Sequence, residues 1–182
     1  MTKYIPAKLI AAFLLCIVIS ASQAVGFGDE APGWMGINLV DGRLVEFPEV
    51  LNDKPAVLVF WATWCPYCQA FMPYVKQIQA DYADHGIQII SFNALERGVG
   101  NPKAYVDALN FPQVAIARAD RIAQEYDVQF IPGLMIVDAN GTVVYRRKST
   151  NLPAGRTVSE QWAGEVRQVL DILIENNYLG TE

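Results

Sequence analysis

Two periodicities divide this chain. The runs Ala56-Val57-Leu58-Val59, Ile87-Gln88-Ile89-Ile90-Ser91-Phe92 and Leu134-Met135-Ile136-Val137 are short, largely apolar and rich in β-branched residues, so each predicts a buried strand. Between them Phe71, Val75, Ile78 and Tyr82 recur at helical spacing and predict one apolar stripe laid against a sheet. Pro73 lies inside that helix and predicts a kink, and His85-Gly86 marks its end, with His85 a surface residue. Asn101-Pro102 reads as an N-cap and first-turn proline opening a short helix through Leu109. Val114 to Ala117 predicts a further short strand, and Ile122, Ala123 and Tyr126 a short helix. Thr157 with Glu160 forms a capping box, and Trp162, Val166, Val169 and Leu173 predict a C-terminal helix covering the sheet.

The punctuation between these elements is equally regular. Residues 25–36, with Gly26, Gly28, Pro32 and Gly33, predict an exposed lead-in. Asp41-Gly42 between Ile37–Val40 and Arg43–Phe47 predicts a β-hairpin with a two-residue turn. Asn52-Asp53-Lys54-Pro55 is a turn into the first buried strand, and residues 93–100 are a flexible connection. Asp138-Ala139-Asn140-Gly141 turns into Thr142–Arg147, with Arg146, Arg147 and Lys148 as the solvated end of that strand and residues 149–156 as a polar loop. Strands alternating with helices predict an α/β domain.

Composition changes the picture at the N-terminus. The 182 residues are 52% hydrophobic and 18% charged, which suits one globular domain. Lys3 and Lys8 precede the uncharged run Leu9–Ile19, and Ser20-Ala21-Ser22-Gln23-Ala24 ends in small residues, the pattern of a secretory signal over residues 1–24. An apolar run this short falls below the roughly 20 residues of a membrane span, with an uncleaved anchor as the alternative. Residues 25–182 are then the exported domain. Removing the leader takes away two lysines, Cys16 and no acid, moving the net charge from −5 to −7. Such an acidic surface lacks the electrostatic footprint of a nucleic-acid-binding protein.

The candidate chemistry is Phe60-Trp61-Ala62-Thr63-Trp64-Cys65-Pro66-Tyr67-Cys68, which joins the first buried strand to the long helix. A helix N-terminus carries partial positive charge and unpaired N–H groups, so a thiolate there is favoured. Cys-X-X-Cys at such a site lowers the first thiol from about 8.5 into the range of roughly 3.5 to 7.5. Cys65, more N-terminal and more exposed, is the candidate nucleophile, and Cys68, one turn inside, can displace the product. Pro66 suits the first helical position. In an oxidising compartment so short a loop stabilises little as a staple, which favours a working disulfide. A zinc site is disfavoured, because His85 and the leader's Cys16 are the only other soft ligands. No cofactor or metal is implied beyond the Cys65–Cys68 disulfide itself.

This constellation resembles the thioredoxin superfamily, and the hairpin, the Lys-Pro turn and the extra strand and helix before residue 131 resemble its exported TlpA/ResA-like, cytochrome-maturation branch. The resemblance covers roughly residues 34–178. It implies a central mixed sheet flanked by helices, with an N-terminal hairpin and an inserted strand-helix segment. It makes Ile131-Pro132 a cis peptide at the mouth of a strand, where the Ile131 backbone can pair with an extended substrate. It further implies Trp64, Pro66 and Tyr67 as substrate-facing rim residues, a monomer acting on protein disulfides or dithiols in the periplasm, and a membrane electron donor of the DsbD/CcdA kind. The activity implied is a thiol:disulfide oxidoreductase working as a reductase. Alternatives are a Dsb-type oxidase or isomerase, and a metallochaperone of the same fold. Two departures stand out. The family's buried acid on the central strand is Val59 here, and the ResA-like glutamate three residues after the second cysteine is Phe71. Glu46 and Glu96 are the acids considered in their place as proton acceptor for Cys68, and neither is assigned.

Overall fold

The computed structural model describes residues 25–98, 100–148 and 154–176. The leader expected over residues 1–24 lies outside them. In chain order the elements are β1 (Trp34–Ile37), β2 (Leu44–Phe47), β3 (Ala56–Trp61), α1 (Pro66–Asp81), β4 (Gln88–Asn93), α2 (Pro102–Leu109), β5 (Val114–Ile116), α3 (Asp120–Glu125), β6 (Gly133–Val137), β7 (Val143–Arg146) and α4 (Val158–Glu175). The five-stranded sheet runs β5-β4-β3-β6-β7, while β1 and β2 form a separate antiparallel pair. Strands β3, β4 and β5 are parallel, and β6 and β7 run antiparallel to their neighbours.

Strand β3 is buried along its whole length because both faces of the sheet are covered. Its odd residues, Val57, Val59 and Trp61, join Phe71, Val75 and Ile78 of α1 and Trp162, Val166 and Leu170 of α4. Its even residues, Ala56, Leu58 and Phe60, join Ile122 and Ala123 of α3 with Trp34 and Phe47 of the hairpin. The two-residue period of a strand thus feeds two separate cores. Each large apolar side chain buried there contributes roughly 1.5–3 kcal/mol.

Away from the cysteines, three parts of the chain depart from the sequence expectation. The lead-in is exposed only in part, with Phe27 and Met35 in solvent but Val25 and Trp34 buried, and its backbone is paired. Gly28 N–H donates to Val143 O at 2.8 Å and Ala31 N–H to Gly141 O at 2.9 Å, so this segment covers the free edge of β7. Trp34, only 6% exposed, stacks on Phe47 with ring centroids 5.6 Å apart. The hairpin starts earlier than predicted and its turn is longer. Ile37 pairs with Leu44, and Asn38–Arg43 form the connection. The cause is the neighbouring sheet edge: Leu39 N–H donates to Ala115 O at 2.6 Å, and Asn38 Oδ1 accepts from Ala115 N–H at 3.0 Å and from Val40 N–H at 3.1 Å. These bonds tie residues 38–39 to β5, while the Asn38 N–H still donates to Arg43 O at 2.8 Å.

The end of β7 is the third departure. Only Lys148 is exposed as expected. Arg146 donates to the carbonyls of Val25, Tyr126 and Asp127 at 2.6–2.7 Å, tying the lead-in to the C-terminus of α3, and Arg147 is buried. A cation is favoured at the helix end. The α1 stripe, the Asn101 cap, the capping box of Thr157 and Glu160 and the short strand β5 stand where predicted.

Asn38 is 6% exposed and Ala115 is fully buried, so Asn38→Ala strands an interior N–H. The variant is expected to lose about 1–3 kcal/mol in urea unfolding with an unchanged m-value. A loss below about 0.5 kcal/mol would contradict that role for the side chain.

Candidate functional site

Strand β3 ends at Trp61 and the chain turns through residues 62–64 into α1, which begins at Pro66. Cys65 is the N-cap of that helix. Its Sγ accepts the Cys68 N–H at 3.1 Å, filling the place a serine or aspartate oxygen takes in an ordinary cap. Cys65 and Cys68 are joined in a disulfide with Cα atoms 5.2 Å apart. Cys65 is the more exposed of the two, as expected, but both are buried, at 3% against 1%.

Two flanks hold this turn. On one, Glu96 accepts the Thr63 N–H at 2.9 Å, the Thr63 hydroxyl at 2.6 Å and Asn93 Nδ2 at 2.9 Å. Trp64 Nε1 donates to Leu95 O at 2.8 Å, and the Arg97 guanidinium lies 3.5 Å from the Trp64 ring centroid. Residues 94–97 are therefore pinned rather than the flexible connection predicted. Gly100 closes this side: a Cβ there would fall 1.7 Å from Thr63 Oγ1. Burial would raise the Glu96 pKa, but the hydrogen bonds from Thr63 and Asn93 outweigh it and hold the carboxyl below its ordinary value.

On the other flank, Ile131–Pro132 is cis, as is Phe47–Pro48, which the sequence did not single out. The Ile131 carbonyl oxygen stands 3.9 Å from Cys65 Sγ. The pairing of β6 with β3 begins only at Gly133, so the Ile131 backbone lies outside the ladder and faces the disulfide. Pro132 is buried, and its carbonyl accepts from Arg147 Nη2. Tyr67 is 59% exposed, and Pro66 beside it is also exposed. Tyr67, Phe130, Ile131, Arg147, Val158 and Trp162 line a cleft of about 240 Å³.

The sequence-predicted residues thus converge, with Trp64 on the Glu96 flank and Tyr67, Ile131 and Pro132 on the cleft side. Sequence reasoning missed Phe130, Arg147, Val158 and Trp162, which share the cleft with Tyr67 and Ile131. Glu46 lies elsewhere, lining a cavity with Arg118, Arg121 and Trp34. Val59 and Phe71 are both fully buried in the apolar cluster that contains the two cysteines. Among the described residues Asp138, 8% exposed, is the one buried carboxylate, and its Oδ1 accepts from the N–H groups of Asn140 and Thr142 in the β6–β7 turn. Also among the described residues, no group of His, Cys, Asp and Glu is placed to hold a metal, and no helix is long and apolar enough to cross a membrane.

A disulfide capping the helix after the central strand, opposed by a cis-proline loop, defines a thioredoxin-fold dithiol site. Residues 28–160 match Redoxin, and the chain belongs to that family as a thiol-disulfide oxidoreductase of the ResA kind. The thiol-disulfide oxidoreductase ResA of Bacillus thuringiensis (strain Al Hakam) is 30% identical over 174 residues, covering 86% of this chain and 95% of that protein. An uncharacterized conserved protein of Geobacillus kaustophilus superposes with a TM-score of 0.73 at 21% identity, covering 88% of each chain. A thioredoxin-family thiol:disulfide interchange protein of Chlorobium tepidum TLS gives 0.60 at 22% identity, over 81% of this chain and 99% of that one. These two structures share the fold.

Because the Glu96 pKa is lowered on folding, its contribution is complete above the unfolded carboxyl's value of about 4.3 and is lost as pH falls through the lowered one. Glu96→Gln is expected to unfold roughly 1 kcal/mol more easily at pH 7. The gap to the parent should close on acidification below pH of about 4, and a gap constant from pH 7 to 3 would refute the assignment.

Proposed function

We propose that this protein is an exported reductase of protein disulfides, with Cys65 as the attacking sulfur and Cys68 as the resolving one. The observation that carries this is the position of Cys65 Sγ, capping α1 with the Cys68 N–H donated to it and the Ile131 backbone 3.9 Å away. In the reduced protein the same N–H and the partial charge of the helix N-terminus stabilise a thiolate. That thiolate attacks a substrate disulfide, forming the Cys65–substrate bond as the other substrate sulfur leaves with the electron pair. Cys68, deprotonated, then attacks Cys65 sulfur, expelling the second substrate thiolate and restoring the intramolecular disulfide. Two electrons pass to the substrate in each cycle.

The Ile131 backbone pairs with an extended substrate strand, Pro132 shapes that edge, and Trp64, Pro66 and Tyr67 form the rim. Among the described residues no carboxylate belongs to the buried cluster around Cys68, so in this mechanism its proton passes to the departing substrate thiolate or to water. The apolar leader supports work outside the cytoplasm, where a membrane donor of the DsbD/CcdA kind would return electrons to the monomer. The acidic charge of the domain gives no footing for nucleic acid.

Cys68→Ser is expected to accumulate mixed disulfides through Cys65, and Cys65→Ser to abolish exchange. Alkylation of the reduced protein should give a midpoint for Cys65 below the 8.5 or so of free cysteine, and an ordinary midpoint would sink the mechanism. A reduction potential near about −270 mV is expected for a reductase, whereas one near about −120 mV would reverse the direction in favour of an oxidase.

A further inference from the structure

We propose that Arg147 is a positioning residue for the substrate-pairing segment: it clamps Phe130–Pro132 from beneath and so sets how an extended polypeptide meets Cys65. Resting on the assignment of Cys65 as the attacking sulfur, this adds a residue outside both the Cys-X-X-Cys turn and the cis peptide. Arg147 is 9% exposed and follows directly after β7. Its guanidinium donates to the Pro132 carbonyl. Its carbon centre lies 4.9 Å from the Phe130 ring centroid and 4.6 Å from that of Trp162. One side chain therefore ties the loop before β6 to the first turns of α4.

The chemistry requires an arginine. A planar guanidinium can stack its faces on two rings while its edge donates hydrogen bonds, whereas an ammonium can do only the second. Burial holds the Arg147 pKa below its ordinary value, and Tyr145 and then Glu165 oppose that only in part; Glu165 accepts from Tyr145 Oη at 2.6 Å and Gln161 Nε2 at 2.9 Å. Phe130 is 49% exposed, and the Arg147 guanidinium covers its ring. The consequence falls on the cleft of Tyr67, Ile131, Val158 and their neighbours. With Arg147 in place, its 240 Å³ or so opens beside the Ile131 backbone and admits one side chain of a substrate next to its cysteine.

The test compares two disulfides with the same leaving group in a Cys68→Ser background. One is a short cysteine peptide carrying thionitrobenzoate, the other symmetrical dithiobis(nitrobenzoate). Cys65 thiolate attacks the peptide sulfur in the first and a reagent sulfur in the second, and thionitrobenzoate anion leaves in both. Arg147→Met is expected to slow the peptide reaction about tenfold while the symmetrical reagent changes by about twofold or less. Arg147→Lys, which keeps the donor and the charge, should fall between the two. Phe130→Leu, at an exposed position where folding is not at stake, should slow the peptide about threefold. Equal losses on both reagents, or unaltered peptide selectivity in Arg147→Met and Phe130→Leu, would overturn the proposal. A Cys68→Ser parent reacting with both reagents no faster than free cysteine would overturn Cys65 as the attacking sulfur, and this inference with it.

Discussion

The hydrogen bond from the Cys68 amide to the Cys65 sulfur is the contact around which this molecule is arranged. It exists only if a strand ends and a helix begins within a few residues, and only if the first helical amides point outward at a sulfur. Strand β3 supplies the first condition. It is the middle strand of five, buried on both faces, so its end is fixed by pairing with β4 and β6 and by two apolar cores. Helix α1 supplies the second, since Pro66 starts it and Phe71, Val75 and Ile78 anchor it to the odd-numbered face of β3. The dipole and unpaired amides then act on a sulfur whose position is not free to drift.

Around that rigid centre the reacting surface is built from two flanks of different character. The Glu96 flank is anionic and joins two loops, those after β3 and after β4. A carboxylate on the loop after β4 holds Thr63 by both its amide and its hydroxyl, and Trp64 is held by its indole N–H and covered by Arg97. The Arg147 flank is cationic and long-range, joining the end of β7, the loop before β6 and α4. In both, a charged group replaces backbone pairing where the chain must leave regular structure beside the cysteines. Loops at a reacting centre cannot hide their polar groups in a ladder, so side chains satisfy them.

Val59 and Phe71, which stand where the resemblance leads one to expect acids, have a consistent structural expression. Val59 faces Leu134 across the β3–β6 pairing, and Phe71 meets Trp162 edge-on with ring centroids 5.6 Å apart. Both sit in the cluster that encloses the cysteines, so the interior behind the disulfide is apolar where a carboxylate would otherwise stand. Burying an unpaired carboxylate there would be costly, and the aromatic pair fills the volume instead.

The sequence by itself determined the elements whose cause is local. The strand-turn-helix around Cys65, the caps at Asn101 and Thr157, the helical stripe from Phe71 and the two-sided burial of β3 all follow from periodicity and capping chemistry read within a few residues. Tertiary structure decided whatever depends on partners distant in the chain. Leu39 leaves the predicted hairpin, and the Asn38 side chain turns to β5, because Ala115 lies alongside, and the lead-in is paired because β7 has an edge to cover. Glu96 is fixed by Thr63, 33 residues away, and Arg147 is drawn inward by Phe130, Pro132 and Trp162, although in sequence it sits in a run of three basic residues. A pattern of charges and apolar residues states which side chains are able to be buried. Only the folded arrangement states which cation finds two rings and a carbonyl within reach, because that outcome depends on the meeting of three elements no short stretch of chain contains.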